Sequence, residues 1–295
     1  MTFDIGDGVD SAVNYVLDNF APLLDVIAAT IGTVTNGIQA ALTATPMPLG
    51  LAILVLLSLW RVGFGFAGFT ALSLWLVNHM GLWSDMMETL SLVLASTLVA
   101  MLIGLPLGIA MARSDRVAAV VRPVLDLMQT MPAFVYLIPA AMFFGLGAVP
   151  GTIATVIFSM PPVVRLTNLG LRQVHAEFIE AGNAFGCTAA QLLFKVQLPN
   201  ALPSIMAGIN QTIMLSLSMV VIASMIGAGG IGNTVLTGIQ RLDVGTGFEG
   251  GITVVILAVI LDRTTQSFGR KRARGRRSLF RRPAQEPAAS AAAMV

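Results

Sequence analysis

The sequence predicts an all-α integral membrane protein of about seven transmembrane helices, preceded by an N-terminal amphipathic helical region. Three observations carry that prediction. Of the 295 residues, 56% are hydrophobic and only 11% charged, whereas roughly a quarter of a soluble domain is charged. The mean hydropathy is +0.83. The charges also cluster at the ends of apolar runs and in a basic tail, where eight of the 17 Lys and Arg residues fall between Arg270 and Arg282.

Residues 1–46 carry Asp4, Asp7, Asp10, Asp18 and Asp25 among Val13, Val16, Leu17, Phe20, Leu23, Leu24 and Ile27. Spacings of three and four residues predict one or two amphipathic helices lying on a surface outside the cytoplasm. The first ten residues hold three Asp and no Lys or Arg, the wrong start for a cleavable signal peptide. Targeting is therefore expected from the spans themselves.

Residues 47–83 contain one charge, Arg61, and read as two accessory spans of ~18 residues each, enough for the ~30 Å hydrocarbon core. Trp60, Trp75 and Trp83 fall at span ends, where interfacial anchors belong. A third span is expected from Thr89 to Ala112, closed by Arg113 and Arg116. A fourth, at 131–147, is interrupted by Pro132 and Pro139, each of which removes a backbone donor that neighbours must compensate. The fifth runs from Pro150 to Arg165, the sixth from Pro203 to Ile226 and the seventh over 244–261. A short amphipathic helix is expected at Asn233–Asp243. Residues 269–295, basic and then rich in Pro and Ala, read as a disordered cytoplasmic tail.

With the tail in the cytoplasm, seven spans put eight of the nine basic residues outside the tail on that same side, leaving only Arg241 across the membrane. This agrees with the positive-inside rule. It places the N-terminus outside and the polar loop 166–202 inside. The basic charge thus encodes orientation and attraction to anionic headgroups rather than affinity for nucleic acid.

Several function classes are excluded by motif. The two lysines, Lys195 and Lys271, are followed by Val196 and Arg272, so no phosphate-binding Gly-x-x-x-x-Gly-Lys-[Ser/Thr] exists in the chain. Single Cys187 permits neither an internal disulfide nor a Cys-rich metal site. No His-Glu-x-x-His, Cys-x-x-Cys or Gly-x-Ser-x-Gly occurs, and no metal or catalytic site is expected. His79 and His175 read as interfacial residues. An ion-coupled carrier would carry charges in mid-span; here Glu88 and Glu249 come nearest to that. A channel, an ion-coupled carrier and a permease driven by a partner remain as alternatives.

Loop 166–202 favours the partner. Ala181, Ala184, Ala189, Ala190, Gln191, Leu192 and Leu193 are helix formers, with Gly186 as a bend and Pro199 as a stop. Small residues at 181, 182, 184 and 186 permit close backbone approach, and Phe185, Leu192, Leu193 and Phe194 supply apolar anchors for a groove in a soluble protein. An ordinary connecting hairpin is the competing reading.

The run Glu180-Ala181-Gly182, three residues, Gly186, nine residues, Val196-Gln197-Leu198-Pro199 resembles the EAA motif of bacterial ABC importer permeases, Glu-Ala-Ala-x3-Gly-x9-Ile-x-Leu-Pro. Gly182 and Val196 depart from it conservatively. The resemblance implies that Glu180, Ala181, Gly182, Gly186, Leu198 and Pro199 form the coupling helix that docks on a cytoplasmic ATPase subunit, which binds the ATP, so this chain needs no cofactor of its own. Ser84–Arg113, Gln129–Gly145, Leu192–Gln211, Met219–Ile226 and Leu261-Asp262-Arg263 resemble more closely the permeases of glycine betaine/proline betaine importers. Choline and carnitine permeases look much alike. The resemblance covers most of a core at 84–268 and implies the type I importer fold, an inner-membrane homodimer, two ATPase subunits and an extracytoplasmic binding protein. Only ~46 residues precede the first span and ~34 follow the last, short of a ~100–150-residue domain, so neither partner is expected within this chain. For the path, Asn210, Gln211, Ser216 and Ser218 are polar residues in mid-span, with helix-to-helix hydrogen bonding as the competing role. Phe134 and Tyr136 offer ring faces to a quaternary ammonium, with packing as the competing role. Gly227–Gly232 and the amphipathic segment after it read as an outer gate or a dock for the binding protein.

Overall fold

The computed structural model describes residues 5–269, and every described element is helical. The basic tail and its expected disorder lie outside the described residues. So do the side chains of Ile5, Asp7 and Asp10.

The N-terminal region forms one helix, α1 (Ile5–Thr43, 39 residues). Its stretch Val13–Thr43 is long and apolar enough to cross a membrane, whereas the sequence pattern suggested a helix lying on a surface. Only Asp18 and Asp25 interrupt that stretch. Helices α2 (Met47–Arg61, 15 residues) and α3 (Phe64–His79, 16 residues) replace the two expected accessory spans. At 1.5 Å per residue they reach only about 22–24 Å, below the ~30 Å core. Gly63, with φ +133° between them, makes the turn.

The remaining elements are α4 (Trp83–Arg113), α5 (Asp115–Thr130), a 3-10 turn (Ala133–Tyr136), α6 (Leu137–Phe144), α7 (Ala148–Arg172), α8 (Ala176–Ala184), α9 (Ala189–Gln191), a π-helical turn (Leu192–Gln197), α10 (Leu198–Ser224), α11 (Ile231–Arg241) and α12 (Val244–Gly269). Among the described residues five helices are long and apolar enough to cross a membrane. The count rises to six if the pair 115–130 and 133–144, bent by 109°, makes one span. The expected all-α multi-pass membrane fold is thus present, with five or six helices of spanning length where seven spans were expected. The expected fourth span is the bent pair: Met131 and Pro132 hold extended backbone (ψ 138° and 139°), which follows from the restriction a proline puts on its predecessor. Tyr136 fastens the bend by donating its hydroxyl to Met128 O at 2.8 Å.

Helix α7 does not stop at Arg165. Pro161 and Pro162 are buried inside it and it continues to Arg172. It is the most enclosed of the spanning helices, packed between α4 and α10. Small residues set the spacing. A Cβ on Gly108 of α4 would lie 2.7 Å from Thr167 Cβ and 2.8 Å from Val164 O, and one on Gly208 of α10 would lie 3.0 Å from Val163 Cα. Backbones that approach this closely gain the packing contact that replaces hydrophobic driving force in lipid. Val163 and Val164 are fully buried at this three-helix seam, with Met111, Leu217 and Val220 in the same core. Helix α12 packs on α10, and the α2–α3 hairpin reaches the bundle through α12. There the Arg61 guanidinium stacks 3.7 Å from the Phe268 ring centroid and donates to Ser267 O at 3.3 Å. Helix α1 crosses the N-terminal ends of α4 and α7 through Gln39 and Thr35, which contact Glu88 and Thr152.

Candidate functional site

The conspicuous polar excursion is the segment between α7 and α10. Helix α8 ends in a Schellman motif: Gly186 N donates to Asn183 O at 2.9 Å and Cys187 N to Gly182 O at 3.0 Å. That geometry needs a left-handed residue after the helix cap, and Gly186 supplies it at φ +74°. Two residues later Thr188 opens α9 with a capping box, its hydroxyl accepting from Gln191 N and its own N–H donating to Gln191 Oε1 at 2.9 Å. The two caps define a helix–turn–helix whose chain path is set locally.

Gly182 is the buried residue of α8. A Cβ there would stand 2.6 Å from Leu192 Cδ1, so the glycine in the second alanine position of the motif makes room for the leucine folded over it. Glu180 and Ala181 are exposed beside it, and Phe185 is 89% exposed at the tip. The π-helical turn joins α9 to α10, with Leu198 N bonded to Leu193 O. Pro199 lacks an N–H and, in α register, its ring would meet the carbonyl four residues back; the wider turn accommodates it. Leu198 and Pro199 line an apolar groove of about 530 Å³ between α4 and α10.

Two arginines tie this segment to the bundle. Arg113, the last residue of α4, donates to Ala189 O at 3.1 Å. Arg172, the last residue of α7, donates to Met111 O and Asp115 Oδ1, each at 2.7 Å, and to Asn168 Oδ1 at 2.9 Å. The Met111 carbonyl belongs to the last turn of α4, which has no intrahelical donor, so one guanidinium caps α4 and pairs with the first residue of α5.

The six mid-membrane candidates separate. Asn210 and Gln211 line a cavity of about 390 Å³ with Gln266 and Gly269 of α12. Asn210 Nδ2 donates to Asp262 Oδ1 at 2.8 Å, and Gln266 Nε2 donates to the same oxygen at 2.7 Å. Ser216 is fully buried, bonded to Ser159 of α7 at 3.1 Å, and Ser218 returns its hydroxyl to Met214 O of its own turn. Phe134 is 57% exposed, whereas Tyr136 is buried and its hydroxyl caps α5. For Ser216 and Tyr136 the visible partners are those of packing.

At the opposite end of the bundle α4 holds the N-terminus of α11. Glu88 Oε2 accepts from Gly230 N at 2.8 Å, Thr89 Oγ1 accepts from Ile231 N at 2.8 Å, and Asp85 Oδ2 accepts from Thr234 Oγ1 at 2.9 Å. Two carboxylates at a helix N-terminus suit its free donors and dipole. Glu88 Oε1 also accepts from Gln39 of α1 at 3.0 Å. Gly229 and Gly230, at φ +79° and +71°, allow the approach, because a Cβ on either would clash with Glu88 or Thr89. The sequence marked Glu88 as a near-intruding acid and Gly227–Gly232 as an outer gate or a dock for a binding protein, but nothing in it paired them. Asp262 was likewise read only as a charge at the exit of the last span, and Arg172 only as a basic residue of loop 166–202.

A membrane bundle of this kind, with a doubly capped exposed helix–turn–helix between α7 and α10, fits a transport permease. The chain belongs to the family described as "Binding-protein-dependent transport system inner membrane component", which matches residues 104–274. It is 50% identical over 92% of its length to the glycine betaine/proline betaine transport system permease protein ProW of Escherichia coli, covering 77% of that protein. It is also 50% identical, again over 92% of its length, to the glycine betaine/carnitine transport permease protein GbuB of Listeria monocytogenes, covering 97% of that protein. The inward-facing MetNI methionine ABC transporter has a similar fold, with a TM-score of 0.57 at 20% identity, over 62% of this chain and 91% of that one.

Proposed function

We propose that this chain is the permease subunit of an ATP-driven importer of glycine betaine, proline betaine or a related quaternary amine. The observation that carries the reading is the 50% identity across 92% of the chain to permeases named for glycine betaine. Segment 176–199 acts as the coupling element, with Glu180, Ala181, Gly182, Gly186, Leu198 and Pro199 forming the part that seats on a cytoplasmic ATPase. Its short helices, rigid caps and exposed Phe185 suit docking into a groove. Two copies of the chain enclose the path, and an extracytoplasmic binding protein delivers the substrate. ATP-driven closure of the motor moves the segment together with α7 and α10 between inward- and outward-open states. In this orientation the coupling segment faces the cytoplasm and the Glu88–Gly230 contact faces outward, where it holds the outer end of α11. Asn210 and Gln211, with Asp262 and Gln266 behind them, are the polar residues of the path; Phe134 offers its ring to a quaternary nitrogen.

Reconstitution of the chain in vesicles with its ATPase and binding protein, followed by uptake of labelled glycine betaine with choline and carnitine as competitors, tests the reading. ATP-dependent uptake, preferentially competed by betaines, is expected. Uptake without the ATPase would make the chain a stand-alone carrier, and uptake inhibited only by choline or carnitine would reassign the substrate.

A further inference from the structure

We propose that the apolar groove between α4 and α10 is a binding site for one anionic phospholipid, with an acyl chain between the helices and the headgroup phosphate between Arg113 and Lys195. The groove measures about 530 Å³, within the ~300–1,000 Å³ range of ligand sites. Its lining is apolar apart from Thr167, and a base follows the lining residues of each wall: Arg113 four residues after Ile109 on α4, Lys195 next to Phe194. On α4 the row is Leu105, Ile109, Arg113, at steps of four residues that stack on one helix face. On the other wall Ile209, Ile205 and Leu202 lead down to Phe194 and its neighbour Lys195. The Arg113 bond to Ala189 O brings the α4 base to the same end of the groove as the segment carrying Lys195.

Both bases are exposed. Among the described residues neither is paired with a carboxylate, since the two ion pairs there belong to Arg165 and Arg172. The Lys195 ammonium makes no hydrogen bond among the described residues. Phe194 and Leu202, 66% and 47% exposed, leave the groove open along its side.

Charge selects the occupant. A second copy of the chain packed isologously on this face would gather the Arg113 and Lys195 of both copies into one interface, which like-charge repulsion disfavours. A soluble partner seated at the cytoplasmic mouth, where Leu198 and Pro199 lie, leaves the inner slot unfilled, because Leu105 is two helical turns or about 12 Å inward from Arg113. An anionic lipid meets both demands, because its chain matches the walls and its phosphate matches the bases, each worth about fivefold in affinity near a membrane surface.

The test uses the full chain in mild detergent, with native mass spectrometry after addition of phosphatidylglycerol or phosphatidylcholine. One retained phosphatidylglycerol per chain, in preference to phosphatidylcholine, is expected. Lys195→Ala should weaken retention about fivefold. Leu202→Trp, which fills the groove without altering charge, should abolish it, and Ile109→Phe from the opposite wall should do the same if the tryptophan disturbs folding. Soluble glycerophosphate should not displace the lipid. Unchanged retention in the groove-filling variants would overturn the site and leave binding to bases elsewhere. Displacement by glycerophosphate would reduce it to a phosphate site. Loss of self-association in Leu202→Trp with lipid retention intact would assign the groove to a second copy.

Discussion

Arg172 Nη2 donates to Met111 O at 2.7 Å, so the side chain that ends α7 satisfies a carbonyl at the end of α4. The same guanidinium pairs with Asp115, and the helix leading into the exposed segment 173–197 is thereby fastened to the corner between α4 and α5. Removing it leaves the Met111 carbonyl and the Asn168 amide short of a donor. Arg172→Ala is expected to cost about 1–3 kcal/mol, the range for hydrogen bonds to a charged group and their loss. Arg172→Lys should recover only part, since an ammonium cannot reproduce the fork. Thermal unfolding of the detergent-solubilised chain measures both; a wild-type midpoint for Arg172→Ala would show that the clamp contributes nothing.

Gly182 and Gly186 are expected to differ in their tolerance of side chains. At Gly186 the left-handed backbone makes Gly186→Ala cost roughly 1 kcal/mol, felt as faster amide exchange at Cys187, the second donor of the Schellman motif. At Gly182 the obstacle is the flexible end of Leu192. Gly182→Ala should therefore be accommodated by a rotamer change, and Gly182→Val should not. Equal exchange rates in Gly182→Ala and Gly182→Val would contradict this packing.

Glu180 is exposed and makes no ion pair among the described residues. Glu180→Arg should therefore leave folding and membrane insertion intact. If the segment couples to an ATPase, the same variant should uncouple ATP hydrolysis from uptake in the reconstituted system. Unchanged uptake would remove Glu180 from the coupling surface.

The Asn210–Asp262 pair makes an asymmetric prediction. Asn210 Oδ1 is buried without a partner, and Asp262 keeps Gln266 if Asn210 is lost. Asn210→Leu should then change stability by less than about 1 kcal/mol, whereas Asp262→Leu strands two amide donors at roughly 1–3 kcal/mol. Chemical unfolding of the two variants decides it. A larger loss for Asn210→Leu would invert the roles.

Asp243 opens α12, accepting from Thr246 N and Thr246 Oγ1. The Thr246 side-chain and backbone bonds hold its carboxyl below the ordinary value of 3.8. A lowered folded-state value means that this contribution is fully present above the unfolded value and is lost as pH falls through the lower, folded one. Exchange at the Thr246 amide should accelerate only in strong acid, below about pH 4, and Asp243→Ala should abolish that pH dependence. Acceleration near neutral pH would point to a different group.

Composition and charge placement were enough to read an all-α membrane bundle, and the spacing from Glu180 to Pro199 located the exposed helix–turn–helix. What escaped the sequence was geometry that depends on proline context. Pro132 was read as a flaw within one span, but with Met131 extended it turns the chain by 109°; Arg165 was read as an end, and the helix runs on past it to Arg172 with Pro161 and Pro162 buried inside. The accessory pair was overcounted in length because Gly63 and the residues around it form the turn. Among polar residues, Asn210 was legible as an oddity in an apolar run. Its partner Asp262, 52 residues away, required the packing of α12 on α10, which no local pattern specifies.

The π-helical turn at Leu192–Gln197 carries one residue more per turn than an α-helix of the same span. It is an insertion held in register by the fold. Tightening the same residues to ordinary α-helix, with none deleted, would swing everything on its N-terminal side by about 100° around the axis of α10. Phe185 and Glu180 would then face a different direction while α10 and its contacts stayed in place. The turn thus sets the azimuth of the exposed segment independently of the helix that bears it.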